Sequence, residues 1–105
     1  MKKARASQLA YEYGDHGKKV LLTSDQYELG ILTLAPDGES GVHLNRTGEI
    51  LLAYVSDGMG TIRINDSFIA IEAGDAVAVE PEELYNIIAH ESMTIVFSRH
   101  IPPAK

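Results

Sequence analysis

Hydrophobic and polar residues alternate with a period of two along several short stretches of this chain. Residues 61–65 and 68–72 are the clearest examples, because their isoleucines fall two positions apart and can line one face of a strand. Asn65 and Asp66 stand between these stretches and suit a tight hairpin turn. An apolar period of about 3.6 residues is not sustained over three turns anywhere in the sequence. The pattern therefore predicts an all-β protein.

Nine short strands account for the alternating stretches, and the breaks between them are rich in Gly, Pro, Asn and Asp, which favour turns. The predicted strands are 19–23, 27–34, 41–44, 50–56, 60–65, 67–72, 76–79, 84–89 and 93–100. Many short strands with frequent turns are typical of a β-barrel or a β-sandwich. We therefore expect a barrel or a sandwich with little helix.

The chain has 105 residues, which suits one domain with one core. We predict that residues 1–18 form an N-terminal arm or an outer strand, and that residues 19–100 form the barrel. Residues 101–105 are predicted to be a C-terminal tail, because Pro102 and Pro103 cannot donate the hydrogen bonds of a strand ladder.

Composition excludes several classes of function. The chain has no cysteine, so a disulfide framework, a thiolate metal site and a cysteine nucleophile are excluded. Its formal net charge is −6 and its basic residues are scattered, which argues against nucleic acid as a partner. The basic start lacks the apolar core of a secretory signal, and no apolar run is long enough for a membrane helix. We therefore expect a cytoplasmic protein that does not bind membranes.

Two segments carry the most informative spacing. In the first, His43 and Asn45 lie two positions apart, Glu49 follows, and Gly58 lies near the end of the next predicted strand. Residues two apart on one strand face the same side, so His43 and Asn45 can both project into the barrel.

In the second segment, Gly74 is followed by Pro81, then by Asn86 and His90. Pro81 suits a turn between two predicted strands.

These two segments resemble the two sequence motifs of the cupins, a family of RmlC-like proteins. The resemblance covers roughly residues 27–100. It implies a single-domain double-stranded β-helix, which is a jelly-roll barrel. In metal-binding cupins, three histidines and one glutamate at the matching positions hold one divalent ion.

The resemblance places His43, Asn45, Glu49 and Asn86 at those four positions, with asparagine where two of the three histidines are usual. An asparagine carbonyl oxygen is a weaker ligand for transition metals than an imidazole nitrogen. A degenerate metal site is therefore expected, in which a divalent metal is possible but not favoured. The same four residues are predicted to line a ligand-binding pocket.

Three functions are compatible with this pattern. The preferred one is the binding of a small polar ligand in the barrel. The second is an enzyme: either a metal-dependent oxygenase or isomerase with a His/Asn/Glu/Asn site, or a metal-free isomerase in which His43 and Glu49 act as an acid and base pair. The third is a dimeric structural or sensing module. The sequence leaves open whether the protein is an enzyme.

An apolar strip is predicted on the outside of the barrel. Ile50, Leu52 and Tyr54 share the face of their strand that points away from the interior. Such a strip needs cover, either from an arm that flanks the other sheet or from a second subunit. Because cupins commonly dimerise through such faces, the resemblance implies a homodimer.

Overall fold

The computed structural model describes residues 1–103, and nine antiparallel β-strands account for most of them. The strands are β1 (Gly17–Thr23), β2 (Tyr27–Leu34), β3 (His43–Leu44), β4 (Ile50–Asp57), β5 (Met59–Ile64), β6 (Ser67–Glu72), β7 (Ala76–Val79), β8 (Leu84–Ala89) and β9 (Met93–His100). One short 3-10 helix, Ala6–Gln8, precedes them. The all-β prediction is confirmed.

All nine predicted strands are present, and five of them have the predicted bounds. The largest differences are two residues each: β1 begins at Gly17 and not at residue 19, and β3 begins at His43 and not at residue 41. Gly41 has a φ angle of +91°, which lies outside the extended region that a strand requires. The predicted hairpin between β5 and β6 is also present, with Ile64 paired to Ser67.

The strands form two sheets that face each other. The five-stranded sheet has the order β1-β2-β9-β4-β7, and the four-stranded sheet has the order β3-β8-β5-β6. In each sheet the alternating apolar residues point toward the other sheet, and this buries a shared core. Ile62, Val79 and Met93 are fully buried there.

Strand β4 shows how the alternation divides the two faces of the larger sheet. Leu51, Ala53 and Val55 are at most 5% exposed and face the interior. Leu52 and Tyr54 are 45% and 49% exposed and face outward, as predicted.

The N-terminal segment lies against the start of the barrel. The Lys19 ammonium donates to the Ala6 carbonyl oxygen at 3.0 Å and lies 4.1 Å from the centre of the Tyr11 ring. The division of the chain at residue 18 stays a prediction. In the described part of the chain, no helix is long and apolar enough to cross a membrane.

Candidate functional site

A cavity of about 310 Å³ lies between the two sheets. Both sheets and the loop that precedes β3 contribute to its wall. The residues that line it are Glu12, Lys18, Leu32, Ser40, Gly41, Val42, His43, Leu51, Ala53, Tyr85, Ile87, Ile95, Phe97 and Arg99. Val42 is 64% exposed, so the cavity opens to solvent beside this loop.

The cavity has a polar cluster at one end, and the rest of its wall is mainly apolar apart from Glu12, Lys18 and Ser40. On β9, Ile95, Phe97 and Arg99 face the interior in succession, and Arg99 lies nearest the end of the strand. On β8, Tyr85 and Ile87 follow the same alternation. Because the Arg99 and Tyr85 side chains are hydrogen-bonded to each other, the polar ends of both strands meet at one place.

His43 and Glu49 form a hydrogen-bonded pair at this polar end. The His43 Nε2 atom lies 3.0 Å from Glu49 Oε2. Strand pairing places His43 directly opposite Tyr85, and the two rings meet edge to face with their centres 5.7 Å apart. The His43 side chain is 42% exposed and the Glu49 side chain only 4%, so Glu49 holds the imidazole from behind.

Arg99 completes the cluster. Its Nη1 atom donates to Glu49 Oε2 at 2.7 Å, and its Nη2 atom donates to the Tyr85 hydroxyl at 2.9 Å. The same carboxylate oxygen therefore accepts from Arg99 and contacts His43. The sequence analysis missed Arg99 and Tyr85 as site residues. The signal for Arg99 was a charged residue at an inward position, two residues after Phe97.

The surroundings keep both charged groups ionised. Burial alone would raise the pKa of Glu49, but hydrogen bonds from the Arg46 backbone N–H, from Arg99 and from His43 hold this pKa below its usual value. Burial alone would lower the pKa of Arg99, but its hydrogen bonds to Tyr85 and Glu49 hold this pKa above its usual value. A carboxylate and a guanidinium thus face each other at the end of the cavity.

The ionised state of Glu49 determines how a neutral His43 carries its proton. A carboxylate only accepts hydrogen bonds, so the Nε2 atom must be the protonated nitrogen that donates to Glu49. The Nδ1 atom of the neutral ring is then an acceptor. His43 can therefore receive a hydrogen bond or a proton while Glu49 holds its orientation.

Asn45 lies apart from this cluster, because β3 ends at Leu44. Its side chain is buried, and its Nδ2 atom donates to the carbonyl oxygens of Val79 and Glu80 at 3.0 and 3.2 Å. Its backbone N–H donates to the Glu83 carbonyl oxygen, so Asn45 holds the turn between β7 and β8. The buried Oδ1 atom has no hydrogen-bond partner among residues 1–103.

Asn86 also points away from the cavity. It lies between Tyr85 and Ile87 on β8 and therefore faces the other side of the sheet. Its Nδ2 atom donates to Glu39 Oε1 at 2.6 Å, and its Oδ1 atom lies 3.4 Å from the Ser40 hydroxyl. Of the four predicted site residues, the fold thus brings His43 and Glu49 together. A role of Asn45 and Asn86 in ligand binding stays a prediction.

The side chains present do not fit a divalent metal ion. The Arg99 guanidinium already contacts the Glu49 oxygen that faces His43, and it would repel a second cation there. The amides of Asn45 and Asn86 are directed at other partners. Within residues 1–103, no group of three or more His, Cys, Asp or Glu side chains is arranged to hold an ion.

Comparison with known proteins supports the fold and does not indicate an activity. No family model matches the chain, and no curated protein matches it. An RmlC-like cupin from Shewanella frigidimarina superposes with a TM-score of 0.80 and 15% identity, over 97% of this chain and 92% of that chain. The chain has the cupin fold.

Two further structures agree with this assignment. A double-stranded β-helix protein from Klebsiella pneumoniae gives a TM-score of 0.81 at 14% identity, over 100% of this chain and 94% of that chain. A predicted oxalate decarboxylase from Thermotoga maritima gives 0.79 at 18% identity, over 96% and 100% of the two chains. The predicted double-stranded β-helix is therefore confirmed, and the function of this cupin-fold chain must be argued from its own cavity.

Proposed function

We propose that this cupin-fold chain binds a small organic molecule in the cavity between its sheets, without a metal ion. The observation that carries the proposal is the division of one cavity into a hydrogen-bonding end and a mainly apolar remainder. Ligand sites are usually concave, mainly apolar and equipped with a few polar groups that orient the ligand.

Each polar residue has a distinct role in this proposal. His43, Tyr85 and Arg99 line the cavity and contact the ligand. Glu49 is a positioning residue, because it holds His43 and Arg99 through one carboxylate oxygen. The cavity volume of about 310 Å³ lies at the lower end of the range for ligand pockets, so the ligand is small.

A cavity-filling variant tests the proposal. Ala53 is 5% exposed and lines the cavity, so Ala53→Leu should fill part of it. Ala78 pairs with Leu52 in the same sheet and is exposed, so Ala78→Leu is the matched control. We expect small organic compounds to shift the amide NMR signals around Tyr85 and Arg99 in the natural protein and in Ala78→Leu. The shifts should be lost in Ala53→Leu.

Two outcomes would contradict the proposal. The first is binding that survives Ala53→Leu unchanged, because the ligand would then lie elsewhere. The second is near-stoichiometric transition metal in the purified protein, measured by inductively coupled plasma mass spectrometry and lost on His43→Ala.

A metal-free isomerase is the second candidate, and the His43–Glu49 geometry favours it. A neutral His43 that donates from Nε2 to Glu49 presents Nδ1 as a proton acceptor. Incubation of the natural protein with enolisable carbonyl compounds in deuterated water should then incorporate deuterium next to the carbonyl. His43→Gln should abolish this exchange, and exchange that is equal in both proteins would exclude His43 as the base.

A purely structural or sensing module is less well supported. A module that binds no ligand does not need an open cavity with polar groups in its wall, so a closed and apolar cavity would be expected. Instead, the cavity opens to solvent beside Val42, and an ionised pair lies at its polar end.

A further inference from the structure

The charges around the polar end of the cavity show no surplus of positive charge. Glu28 lies 3.3 Å from the Lys18 ammonium and 3.9 Å from Arg99 Nε, and Glu49 lies 2.7 Å from Arg99 Nη1. Glu12 also lines the cavity. Two cations and three carboxylates thus lie at or beside the cavity, and the formal charge of this group is −1.

One further cation lies outside this group. The exposed Arg46 approaches the other oxygen of Glu49, with Nε 3.7 Å away, and brings the formal charge to zero. An anionic ligand would therefore lose its hydration without meeting an unpaired cation. Burial of a charge without a partner is strongly unfavourable.

Some hydrogen-bond donors at the same end of the cavity have no acceptor among the described residues. The Tyr85 hydroxyl accepts from Arg99, and its own proton has no acceptor among the described residues. Arg99 has five N–H groups, of which one donates to Glu49 and one to Tyr85. A ligand that offers an uncharged acceptor oxygen would satisfy these donors. A ligand ammonium group has no acceptor and would leave these donors of Tyr85 and Arg99 unsatisfied.

The rest of the cavity favours a hydrocarbon body. Ile87, Ile95 and Phe97 are all at most 6% exposed and line the wall beyond the polar end, and the buried Leu51 lies directly opposite Arg99. On β9, Phe97 and Ile95 lie progressively further from Arg99 along the strand.

We infer that the ligand is a small neutral carbonyl compound, whose oxygen accepts hydrogen bonds from Tyr85 and Arg99 and whose hydrocarbon part lies against Phe97. This inference rests on the proposed binding function. It adds the chemical class of the ligand and its orientation in the cavity.

Three probes with the same six-membered ring test the inference: cyclohexanone, cyclohexanecarboxylate and cyclohexylamine. Their dissociation constants are measured at neutral pH from amide NMR shifts. We expect the ketone to bind at least about 3-fold more tightly than either charged probe. Tyr85→Phe removes only the hydroxyl and should weaken ketone binding about 3- to 10-fold, the range expected for one neutral hydrogen bond.

Tyr54→Phe is the control, because Tyr54 is 49% exposed on the outer face of β4. It should leave all three dissociation constants unchanged. Tighter binding of the carboxylate or the amine would overturn the neutral ligand class, and so would ketone binding that Tyr85→Phe does not alter; both results would leave the binding function intact. If none of the probes shifted any cavity signal, the binding function itself would fail, and this inference with it.

Discussion

At the scale of single residues, Glu49 organises the candidate site. Its two carboxylate oxygens contact His43, Arg99 and the backbone and side chain of Arg46. Buried ionised groups are stable in a protein only when they have partners of this kind. The stability of the fold and the arrangement of the site therefore depend on the same side chain.

Glu49→Gln should lower the free energy of unfolding at neutral pH by about 3 kcal/mol, because it leaves the Arg99 guanidinium without its closest counter-charge. Urea unfolding followed by circular dichroism measures this change. Glu91→Gln is the control, since Glu91 is exposed, and it should change stability by less than about 0.5 kcal/mol. Equal effects of both changes would contradict the assignment.

The same group predicts a pH dependence. The pKa of Glu49 is lower in the folded protein than its usual value, so its contribution to stability is fully present above that usual value. The contribution is lost as the pH falls through the lower folded-state pKa. The natural protein should therefore lose stability in acid more steeply than Glu49→Gln in unfolding experiments from neutral pH to about pH 3. Parallel curves would show that Glu49 is not held ionised.

Asn45→Asp tests the turn that Asn45 holds. The change replaces a buried N–H donor by a carboxylate oxygen that faces the carbonyl oxygens of Val79 and Glu80. We expect a loss of at least about 2 kcal/mol in the free energy of unfolding at neutral pH. The loss should shrink in acid, because a protonated aspartate can again donate. Unchanged stability in chemical unfolding would contradict these contacts.

At the scale of elements, the turns between strands depend on glycines in the left-handed region. Gly58 joins β4 to β5 with a φ of +85°, and a methyl group there would overlap the Ser92 carbonyl oxygen. Gly74 joins β6 to β7 with a φ of +97° and has open space around it. At both positions, a side chain would be strained by the left-handed backbone conformation. Only at Gly58 would it also collide with neighbouring atoms.

Gly74→Ala should therefore cost about 1 to 2 kcal/mol of stability, which is the penalty of the left-handed conformation alone. Gly58→Ala should cost at least about 1 kcal/mol more, because the β4–β5 turn and the backbone at Ser92 must move apart. Thermal unfolding of both variants measures the difference. A smaller loss at Gly58 would contradict the close packing of this turn.

At the scale of the whole molecule, the outer face of the larger sheet is apolar and is not covered by any other part of residues 1–103. Side chains of this face include Leu29, Leu52, Tyr54, Ala76, Ala78 and Val96. Extended apolar patches on a protein surface are typical of interaction sites. We propose that a second copy of the chain covers this face.

Tyr54→Glu should convert such a dimer to a monomer, because it places a charge in the centre of the buried face. Size-exclusion chromatography with light scattering measures the mass. Phe68→Glu is the control, since Phe68 is 66% exposed on the other sheet, and it should leave the dimer intact. If Phe68→Glu dissociated the dimer and Tyr54→Glu did not, the interface would lie on the smaller sheet.

The sequence by itself determined the strands and predicted two residues, His43 and Glu49, that the fold brings together. Alternation and turn residues are local properties, so they located all nine strands and the turn at Asn65 without knowledge of the partners. The first motif also includes both His43 and Glu49, which lie only six positions apart and are hydrogen-bonded to each other; their role in ligand binding stays a prediction.

Only the tertiary structure showed that Arg99 and Tyr85 join His43 and Glu49 in one hydrogen-bonded cluster. Arg99 reaches Glu49 across 50 positions of sequence, and Tyr85 meets Arg99 across 14, through the pairing of strands in two sheets. Strand pairing also places the Asn86 side chain against Glu39. Because β3 ends before Asn45, the Asn45 side chain is directed at the Val79 carbonyl oxygen. Side-chain direction depends on where a strand ends and which face it buries, and these features are set by long-range packing rather than by local spacing.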